Sequence, residues 1–214
     1  MGRLLKREVE VTVLDKPESI PKNLSEYRDL NNFHYSSGDV RDKSFLEDLI
    51  SEDYEKIFHL AAIVGVENYC DSPLETVDVN VGGTRNIVEI CLEKNIKLIF
   101  TSTSEVFGKN PDVPWNERSD RVLGSTSIHR WSYSTSKSLC EHMLFAVNDE
   151  YDLPIVIIRY FNVYGPRQKP IFAIPAMIKK VLDGENPIVY DTGKQTRCFT
   201  YVKDAIEGTI LAQV

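Results

Sequence analysis

Apolar residues recur along the chain with two alternating kinds of spacing, one typical of strands and one typical of helices. Alternating or unbroken apolar runs predict strands at 8–15, 57–62, 97–100, 153–159 and 186–190, with another short extended stretch before Gly38. Apolar residues spaced by three or four predict helices at 3–6, 45–50, 73–92, 131–147, 174–182 and from 202 to the chain end. Strands that alternate with helices indicate an α/β fold with a doubly wound parallel sheet.

In such a sheet, ligands bind at the carboxyl ends of the strands. The candidate residues that close or follow the predicted strands are Asp15, Asp39, Leu60, Ala61, Ala62, Thr103, Ser104, Glu105, Phe161 and Asn162. Their convergence predicts a binding site along one edge of the sheet.

A tyrosine and a lysine, Tyr133 and Lys137, lie four positions apart at the start of one predicted helix. On one helix face their Cβ atoms would be about 5 to 6 Å apart. An ammonium beside a phenol favours the phenolate and lowers the tyrosine pKa, so the pair could act as a general base. A chance pair is the alternative. Tyr190 and Lys194 have the same spacing, but residues 191–193 between them predict a turn.

Asp15 closes an early predicted strand, where an acid would bind the two ribose hydroxyls of NAD and repel a 2'-phosphate. The sequence therefore favours NAD over NADP, and a solvated strand-end acid is the alternative. The small side chains of Ala61 and Ala62 would let a cofactor approach the backbone.

Thr103 and Glu105 add candidate chemistry at the end of the fourth predicted strand. The Thr103 hydroxyl could share a sugar oxygen with Tyr133, and Glu105 could supply a second acid or base. A strand-end turn and a solvent-facing carboxylate are the alternatives. Residues 109–130 are polar and predict a long surface loop, which is uncommon unless it serves a site.

Composition narrows the class of protein. The chain has 214 residues, 42% of them hydrophobic and 27% charged, enough for a sizeable core. The net charge of -7 argues against a nucleic-acid partner. No Cys-x-x-Cys pair occurs, so neither a metal site nor a disulfide framework is expected. No signal peptide or long apolar segment is found, so we expect a cytoplasmic protein without membrane contact.

One ordered series of motifs covers essentially the whole chain. It comprises Asp15, Gly-Asp-Val-Arg-Asp at 38–42, His-Leu-Ala-Ala at 59–62, Asn-Val-x-Gly-Thr at 80–84, Thr-Ser-Thr-Ser-Glu-Val-Phe-Gly at 101–108, Tyr-Ser-Thr-Ser-Lys at 133–137, Arg-Tyr-Phe-Asn-Val-Tyr-Gly-Pro-Arg at 159–167 and Thr-Arg-Cys-Phe-Thr at 196–200. This series resembles the extended short-chain dehydrogenases, the nucleotide-sugar epimerase/dehydratase family, which has a Rossmann-like fold.

The resemblance implies a bound NAD and a nucleoside-diphosphate sugar substrate. Tyr133, helped by Lys137, would take the proton from the sugar 4-hydroxyl while a hydride passes from C4 to nicotinamide, and Thr103 would hold the same oxygen. The implied cofactor-binding residues are Asp15, Asp39, Val40, Leu60, Ala61, Ala62 and Lys137. The implied substrate-binding residues are Ser104, Asn162, Arg167 and Arg197, of which Asn162 and Arg197 match positions that contact the diphosphate.

The branch of the family is less sharply indicated. Thr-Ser-Glu at 103–105 resembles UDP-glucuronate decarboxylases and GDP-mannose 4,6-dehydratases, whose chemistry at the sugar 6-carbon needs the acid. Arg130-Trp131 and residues 193–200 resemble bacterial decarboxylases of UDP-hexuronates, but similar sequences occur among UDP-glucose 4-epimerases. We expect UDP-hexuronate decarboxylation or 4-epimerisation, with 4,6-dehydration as the alternative.

The chain departs from the family at both ends. Family members open with a strand and a Gly-x-x-Gly-x-x-Gly turn that receives the pyrophosphate, and here only Gly2 remains. We therefore expect an N-terminally incomplete NAD-binding domain at 1–165 and part of a small substrate-binding lobe at 166–214. Without the first strand, its neighbours would lack backbone partners, which costs about 1 to 3 kcal/mol for each buried group.

Two further expectations concern association. A truncated, inactive relative that works as a binding or pairing module is the alternative to an enzyme. Family members often form homodimers through helices equivalent to 74–93 and 131–151.

Overall fold

Seven strands and eight helices make up the part of the chain that the computed structural model describes, residues 1–189 and 191–213. The strands are β1 Val11–Asp15, β2 Phe33–Ser37, β3 Lys56–His59, β4 Lys97–Thr103, β5 Ile155–Tyr160, β6 Asn162–Tyr164 and β7 Phe199–Tyr201. The helices are α1 Gly2–Leu5, α2 Lys43–Leu49, α3 Val66–Asp71, α4 Pro73–Val77, α5 Gly83–Lys94, α6 Ser132–Tyr151, α7 Ala173–Leu182 and α8 Val202–Ala212.

All strand pairings in the described ranges are parallel. β1 pairs with β2, β3 pairs with β4, β4 pairs with β5, and β6 pairs with β7. Helices flank these strands, and the predicted α/β class is confirmed. Within 1–189 and 191–213, no helix is long and apolar enough to cross a membrane.

β1 and β3 each have a partner strand on one side within the described ranges. Within these ranges β1 bonds only to β2, and β3 bonds only to β4. A side-chain bond links the segments that carry the two strands, since the Tyr54 hydroxyl donates to Thr12 Oγ1 at 2.7 Å.

The core is organised around β4, which explains the unbroken apolar sequence of that strand. Leu98 and Phe100 are fully buried in a cluster with residues of α5 and α6, while Ile99 between them is fully buried outside this cluster. Because side chains alternate along a strand, both faces of β4 are covered.

The predicted helix at 73–92 is interrupted in the structure. α4 passes into a single π-type segment, Asp78–Gly82, before α5 begins. Asn80 of this segment is fully buried and turns its side chain towards α6. A π-type turn has no signature in the apolar spacing.

Two predicted strands are corrected. The strand expected at 57–62 ends at His59, and Leu60 is 58% exposed because the chain leaves the sheet there. Residues 186–189 of the strand expected at 186–190 are not in a strand, and Ile188 and Val189 are exposed. Tyr190, and with it the Tyr190 and Lys194 pair, lies outside the described residues, while 191–193 form the predicted turn.

Among the α-helices and strands given above, three were not predicted. Helix α3 has six residues, and β6 and β7 have three residues each. A pair of three-residue strands separated by more than thirty positions leaves no local periodicity to detect.

Candidate functional site

The end of β4 and the first turns of α6 bring Thr103, Tyr133 and Lys137 together, as the sequence predicts. Thr103 is the last residue of β4, and its hydroxyl lies near the Tyr133 phenol, whose pKa it lowers. The Thr103 Oγ1 atom also accepts a bond from the Glu105 backbone N–H at 3.2 Å, which caps the short 3₁₀ helix Ser104–Phe107. Thr103 therefore holds the Glu105 backbone at the end of β4, next to Tyr133.

The pKa of Tyr133 is raised to about 12, and the predicted lowering by Lys137 is wrong in this structure. Burial is the main cause, and the negative charge of Glu105 acts in the same direction, whereas the nearby Thr103 hydroxyl lowers the pKa. The Lys137 ammonium instead donates to the Thr101 carbonyl at 2.9 Å and lies 4.6 Å from the centre of the Phe100 ring. Its charge is directed into the sheet.

Burial lowers the pKa of Lys137 itself to about 8, against the opposing influence of Cys140 and Glu141. The side chain is 2% exposed, so its charge is costly in the folded protein. Between about pH 8 and 10.5 the unfolded chain holds a proton that the folded protein has released, so the free energy of unfolding rises with pH.

Replacing Lys137 with methionine should remove this rise. We expect the stability of the native protein relative to Lys137→Met to increase by about 3 kcal/mol as the pH passes through that interval. Urea unfolding at several pH values measures the difference directly. If the stability difference between the two proteins stays constant with pH, the pKa of Lys137 is not lowered in the folded protein.

Glu105 lies beside Tyr133 and forms an ion pair with Arg130. The sequence indicated Arg130 only as part of the Arg130-Trp131 motif. Arg130 Nη1 donates to Glu105 Oε2 at 2.7 Å. The Arg130 guanidinium lies 5.5 Å from the centre of the Tyr69 ring, and this ring stacks on Tyr133 with centroids 5.2 Å apart and planes at 5°. The Tyr69 ring thus packs on the predicted catalytic phenol, and the ion pair of Arg130 with Glu105 lies beside these two rings.

Tyr69 is a site residue that the sequence reasoning missed. It is 1% exposed, and its hydroxyl has no hydrogen-bond partner among the described residues. Burial raises its pKa, and Glu105 raises it further. Tyr69 lies on α3, a helix too short to show a period, so no signal pointed to it.

Asn80 ties the loop after β3 to the catalytic helix. Its Oδ1 accepts from the Ile63 backbone N–H at 2.9 Å, and its Nδ2 donates to Ser136 Oγ at 3.1 Å. Ser136 in turn donates to the Tyr133 carbonyl at 2.8 Å. Asn80 is the first residue of the Asn-Val-x-Gly-Thr motif at 80–84. An amide side chain within an apolar helical pattern is the signal that could have identified Asn80 as a buried residue of the site.

His59 extends the same buried network. Its Nε2 is 2.9 Å from Thr84 Oγ1, and because the Thr84 hydroxyl donates to the Asn80 carbonyl, His59 Nε2 must be the donor. Burial, with a contribution from Lys137, lowers the pKa of His59 to about 3. The ring is therefore neutral at physiological pH.

The predicted cofactor residues lie at the carboxyl ends of β1, β2 and β3. Asp15 ends β1 and is exposed, and Gly38 N donates to the Asp15 carbonyl at 3.0 Å. Asp39 accepts from Arg41 Nε at 3.0 Å and pairs with Lys16 at 3.2 Å. These contacts, the Arg41 bond first, hold the pKa of Asp39 below its usual range.

The remaining cofactor positions differ in exposure. Val40 is buried, and its Cγ2 would be 2.5 Å from a Cβ added to Gly83, so α5 can approach only because Gly83 has no side chain. Leu60 and Ala61 are exposed, and Ala62 is half-buried. The loop at 60–62 is therefore open to a ligand while Asn80 holds its far end.

The four predicted substrate residues are not all brought together. Ser104 follows Thr103 and is half-buried, and Asn162 follows β5 but donates to the Cys198 carbonyl at 3.0 Å. Arg167 bonds the Asn23 carbonyl at 3.2 Å and pairs with Glu26 at 2.9 Å. Arg197 is exposed and donates to the adjacent Thr196 carbonyl. The structure thus joins Ser104 directly to the Tyr133 cluster.

A buried ion pair between Arg159 of β5 and Glu141 of α6 supports the elements that carry the site. Glu141 of α6 accepts from Arg159 Nε at 3.0 Å and Nη2 at 2.6 Å, and from the Ser102 hydroxyl. Arg159 Nη1 also donates to the Glu117 carbonyl in the predicted long loop at 2.9 Å. One guanidinium therefore connects β5, α6 and the loop that precedes the catalytic helix. No metal-binding group of His, Cys, Asp or Glu occurs within 1–189 and 191–213.

Comparison with known proteins agrees with this geometry. The family model of the NAD dependent epimerase/dehydratase family matches residues 1–213. A UDP-N-acetyl-alpha-D-glucosaminuronate decarboxylase from Bacillus cytotoxicus is 41% identical over 214 residues, 98% of this chain and 65% of that protein. The chain thus spans slightly less than two thirds of that relative.

Two solved structures have the same fold. A UDP-N-acetylglucosamine 4-epimerase from Methanobrevibacter ruminantium, in complex with UDP-N-acetylmuramic acid, has a TM-score of 0.85 and 32% identity, covering 95% of this chain and 65% of that one. A dTDP-glucose 4,6-dehydratase from Bacillus anthracis, in complex with NAD, has a TM-score of 0.85 and 26% identity, covering 99% of this chain and 66% of that one. The three similar proteins carry the names of three different reactions.

Proposed function

The chain belongs to the NAD-dependent epimerase/dehydratase family, and from this premise we propose that it oxidises C4 of a UDP-sugar and decarboxylates a UDP-hexuronate. The observation that carries the proposal is the half-buried Glu105 carboxylate beside Tyr133 and Thr103. The similarity to a hexuronate decarboxylase supports the same choice.

The residues fit a role in holding NAD. Asp15 presents an exposed carboxylate at the end of β1, where ribose hydroxyls would bind, and residues 60–62 leave the end of β3 open. Asp39, Val40 and Lys137 are the other proposed contacts. When bound, NAD supplies the acceptor for the hydride from C4.

Each side chain of the site has a role either in proton transfer or in positioning the cofactor and the substrate. Tyr133 receives the proton of the sugar 4-hydroxyl, and Thr103 holds the same oxygen. Lys137 orients the nicotinamide ribose. Ser104 and Arg167 contact the substrate, and Asn162 and Arg197 contact its diphosphate.

Decarboxylation follows from the C4 ketone. This ketone is β to the carboxylate on C5, so its oxygen accepts the electron pair of the breaking C5–C6 bond as carbon dioxide leaves. C5 then takes a proton that Glu105 relays from solvent, which turns the enolate back into a C4 ketone. The hydride finally returns to C4 while Tyr133 gives its proton back to the C4 oxygen, which restores the alcohol.

4-Epimerisation is the second candidate, because Glu105 is engaged by Arg130 at 2.7 Å. If Arg130 keeps Glu105 from acting as an acid or base, the sugar carboxylate is not lost. The hydride would then return to the other face of C4, which gives the epimer. 4,6-Dehydration is the third candidate, supported by the similar dehydratase.

The first experiment is to denature the purified protein, assay the supernatant for NAD and NADH, and then incubate NAD-loaded protein with UDP-hexuronates and UDP-hexoses. We expect about one dinucleotide per chain and a UDP-pentose from a hexuronate. An epimer without loss of carbon dioxide would favour the second candidate. Failure to bind any dinucleotide, even on titration, would favour an inactive binding or pairing module.

Replacing Glu105 with glutamine tests the acid separately from the oxidation. We expect Glu105→Gln to form bound NADH from the substrate, because Tyr133 and Thr103 remain, while release of carbon dioxide falls about 10²-fold or more. Absorbance of NADH and chromatography of the products measure the two steps. An unchanged product profile would show that Glu105 has only a structural role.

We also propose a homodimer through α4 and α6. Apolar side chains on both helices are exposed, with Leu74 at 73%, Leu139 at 52% and Phe145 at 51%. Such side chains on neighbouring helices are typical of an interface. Sedimentation equilibrium should give twice the monomer mass of 24.4 kDa, and a monomer at micromolar concentration would contradict the proposal.

A further inference from the structure

Arg130 stands between the acid of the site and its aromatic rings. One of its five N–H donors binds Glu105, and the two side chains are 37% and 32% exposed. The guanidinium lies 5.5 Å from the Tyr69 ring centre and 5.6 Å from that of Trp131. The pair is therefore partly shielded from water, where charge interactions are stronger than at an open surface.

The local fold fixes the position of Arg130. It lies in the 3₁₀ turn His129–Trp131 immediately before α6, and the Ser132 hydroxyl donates to the His129 carbonyl at 2.8 Å. Trp131 packs so closely on Gly124 that a Cβ there would be 2.0 Å from the indole Nε1. Arg130 is thus held by a turn whose neighbours cannot easily shift.

The charges around Tyr133 show what Arg130 can do. Tyr69 and Cys70 of α3, Glu105 after β4, Arg130 before α6 and Lys137 on α6 are the titratable groups near the phenol. The anionic charge acting on Tyr133 is that of Glu105, and the Lys137 ammonium is bound to the Thr101 carbonyl. A phenolate next to an unpaired Glu105 would be a second negative charge in a buried site.

We propose that Arg130 is a positioning residue for the proposed reaction, which holds the Glu105 carboxylate and offsets its charge so that Tyr133 can release a proton. The inference rests on the proposed function, because it concerns the proton step of C4 oxidation. It also explains how an acid and a catalytic phenol can share one site. Arg130 acts through Glu105 and contacts no reacting atom in this role.

A double-mutant cycle tests the inference. NAD-loaded native protein, Arg130→Met, Glu105→Gln and the double variant are mixed with a UDP-hexuronate, and the rate of NADH formation is measured across pH. We expect Arg130→Met to raise the apparent pKa of the rising limb by about one unit or more, because Glu105 is left unpaired. We expect the same substitution to leave this pKa unchanged when Glu105 is already glutamine.

Two further variants provide controls. Arg130→Lys keeps the positive charge and should restore most of the native profile, which a loss of packing would not do. Arg118→Met removes an exposed arginine from the same loop and should behave as the native protein. Folding of each variant is checked by circular dichroism.

The outcomes separate this inference from the proposed function. An equal pKa shift in both Glu105 backgrounds, or none after Arg130→Met, would overturn the role of Arg130 while C4 oxidation stands. No NADH in the native protein with any UDP-sugar would overturn the proposed oxidation and the inference together.

Discussion

Tyr133→Phe is expected to slow NADH formation from a UDP-sugar by about 10²- to 10⁴-fold, the range for loss of a general acid or base. The phenylalanine ring can keep the stack on Tyr69, whose centroid lies 5.2 Å away, so the helix and its packing should persist. Only the hydroxyl near Thr103 and Glu105 is lost. We therefore expect the dinucleotide content to stay at the native level while the oxidation step nearly stops.

Single-turnover absorbance of NADH measures the oxidation, and chromatography of the denatured protein measures the dinucleotide. Tyr151→Phe is the matched control, because Tyr151 ends the same helix and is 65% exposed. That control should retain the native rate. Turnover of Tyr133→Phe above half the native rate would show that another group takes the proton.

The sequence predicted the elements that carry the catalytic residues because their signals are local. The apolar spacing in the helix identified α6, and the unbroken apolar run identified β4, so Thr103, Tyr133 and Lys137 could be assigned to their elements. Parallel topology then required the strand ends to share one edge.

The electrostatics of the site could not be predicted in this way. Spacing predicted that Lys137 would lower the pKa of Tyr133, but the ammonium bonds the Thr101 carbonyl, which belongs to a strand 36 positions away. The sign of the Tyr133 shift depends on burial and on Glu105, and both are consequences of tertiary packing. The spacing of residues along the chain does not show which residues contact Tyr133 and Lys137 in the folded protein.

Buried polar residues account for most of what the sequence reasoning missed. Asn80, Glu141 and Arg159 look like surface positions in a pattern of apolar and polar residues, although Asn80 and Glu141 are at most 5% exposed. The partners of these side chains lie 17 to 56 positions away along the chain. Such pairs satisfy one another only in the folded protein.

Arg159→Met is expected to lower the free energy of unfolding by about 3 to 5 kcal/mol, since it leaves the Glu141 charge buried without its partner. The Glu141 side chain is 6% exposed and receives three contacts from Arg159 between 2.6 and 3.2 Å. The substitution also removes the bond to the Glu117 carbonyl, so the loop before α6 should become more mobile. Urea unfolding measures the loss.

The cost should arise from the orphaned charge rather than from the missing contact, and two further variants distinguish these causes. Replacing both partners, as Glu141→Leu with Arg159→Met, should recover much of the loss because no charge is left buried. Arg85→Met breaks an exposed pair with Glu89 on α5, in which Arg85 is 70% exposed, and should cost about 0.5 kcal/mol or less. If Arg159→Met costs no more than Arg85→Met, Glu141 is reached by water or protonated, and the ion pair does not anchor the loop to the catalytic helix.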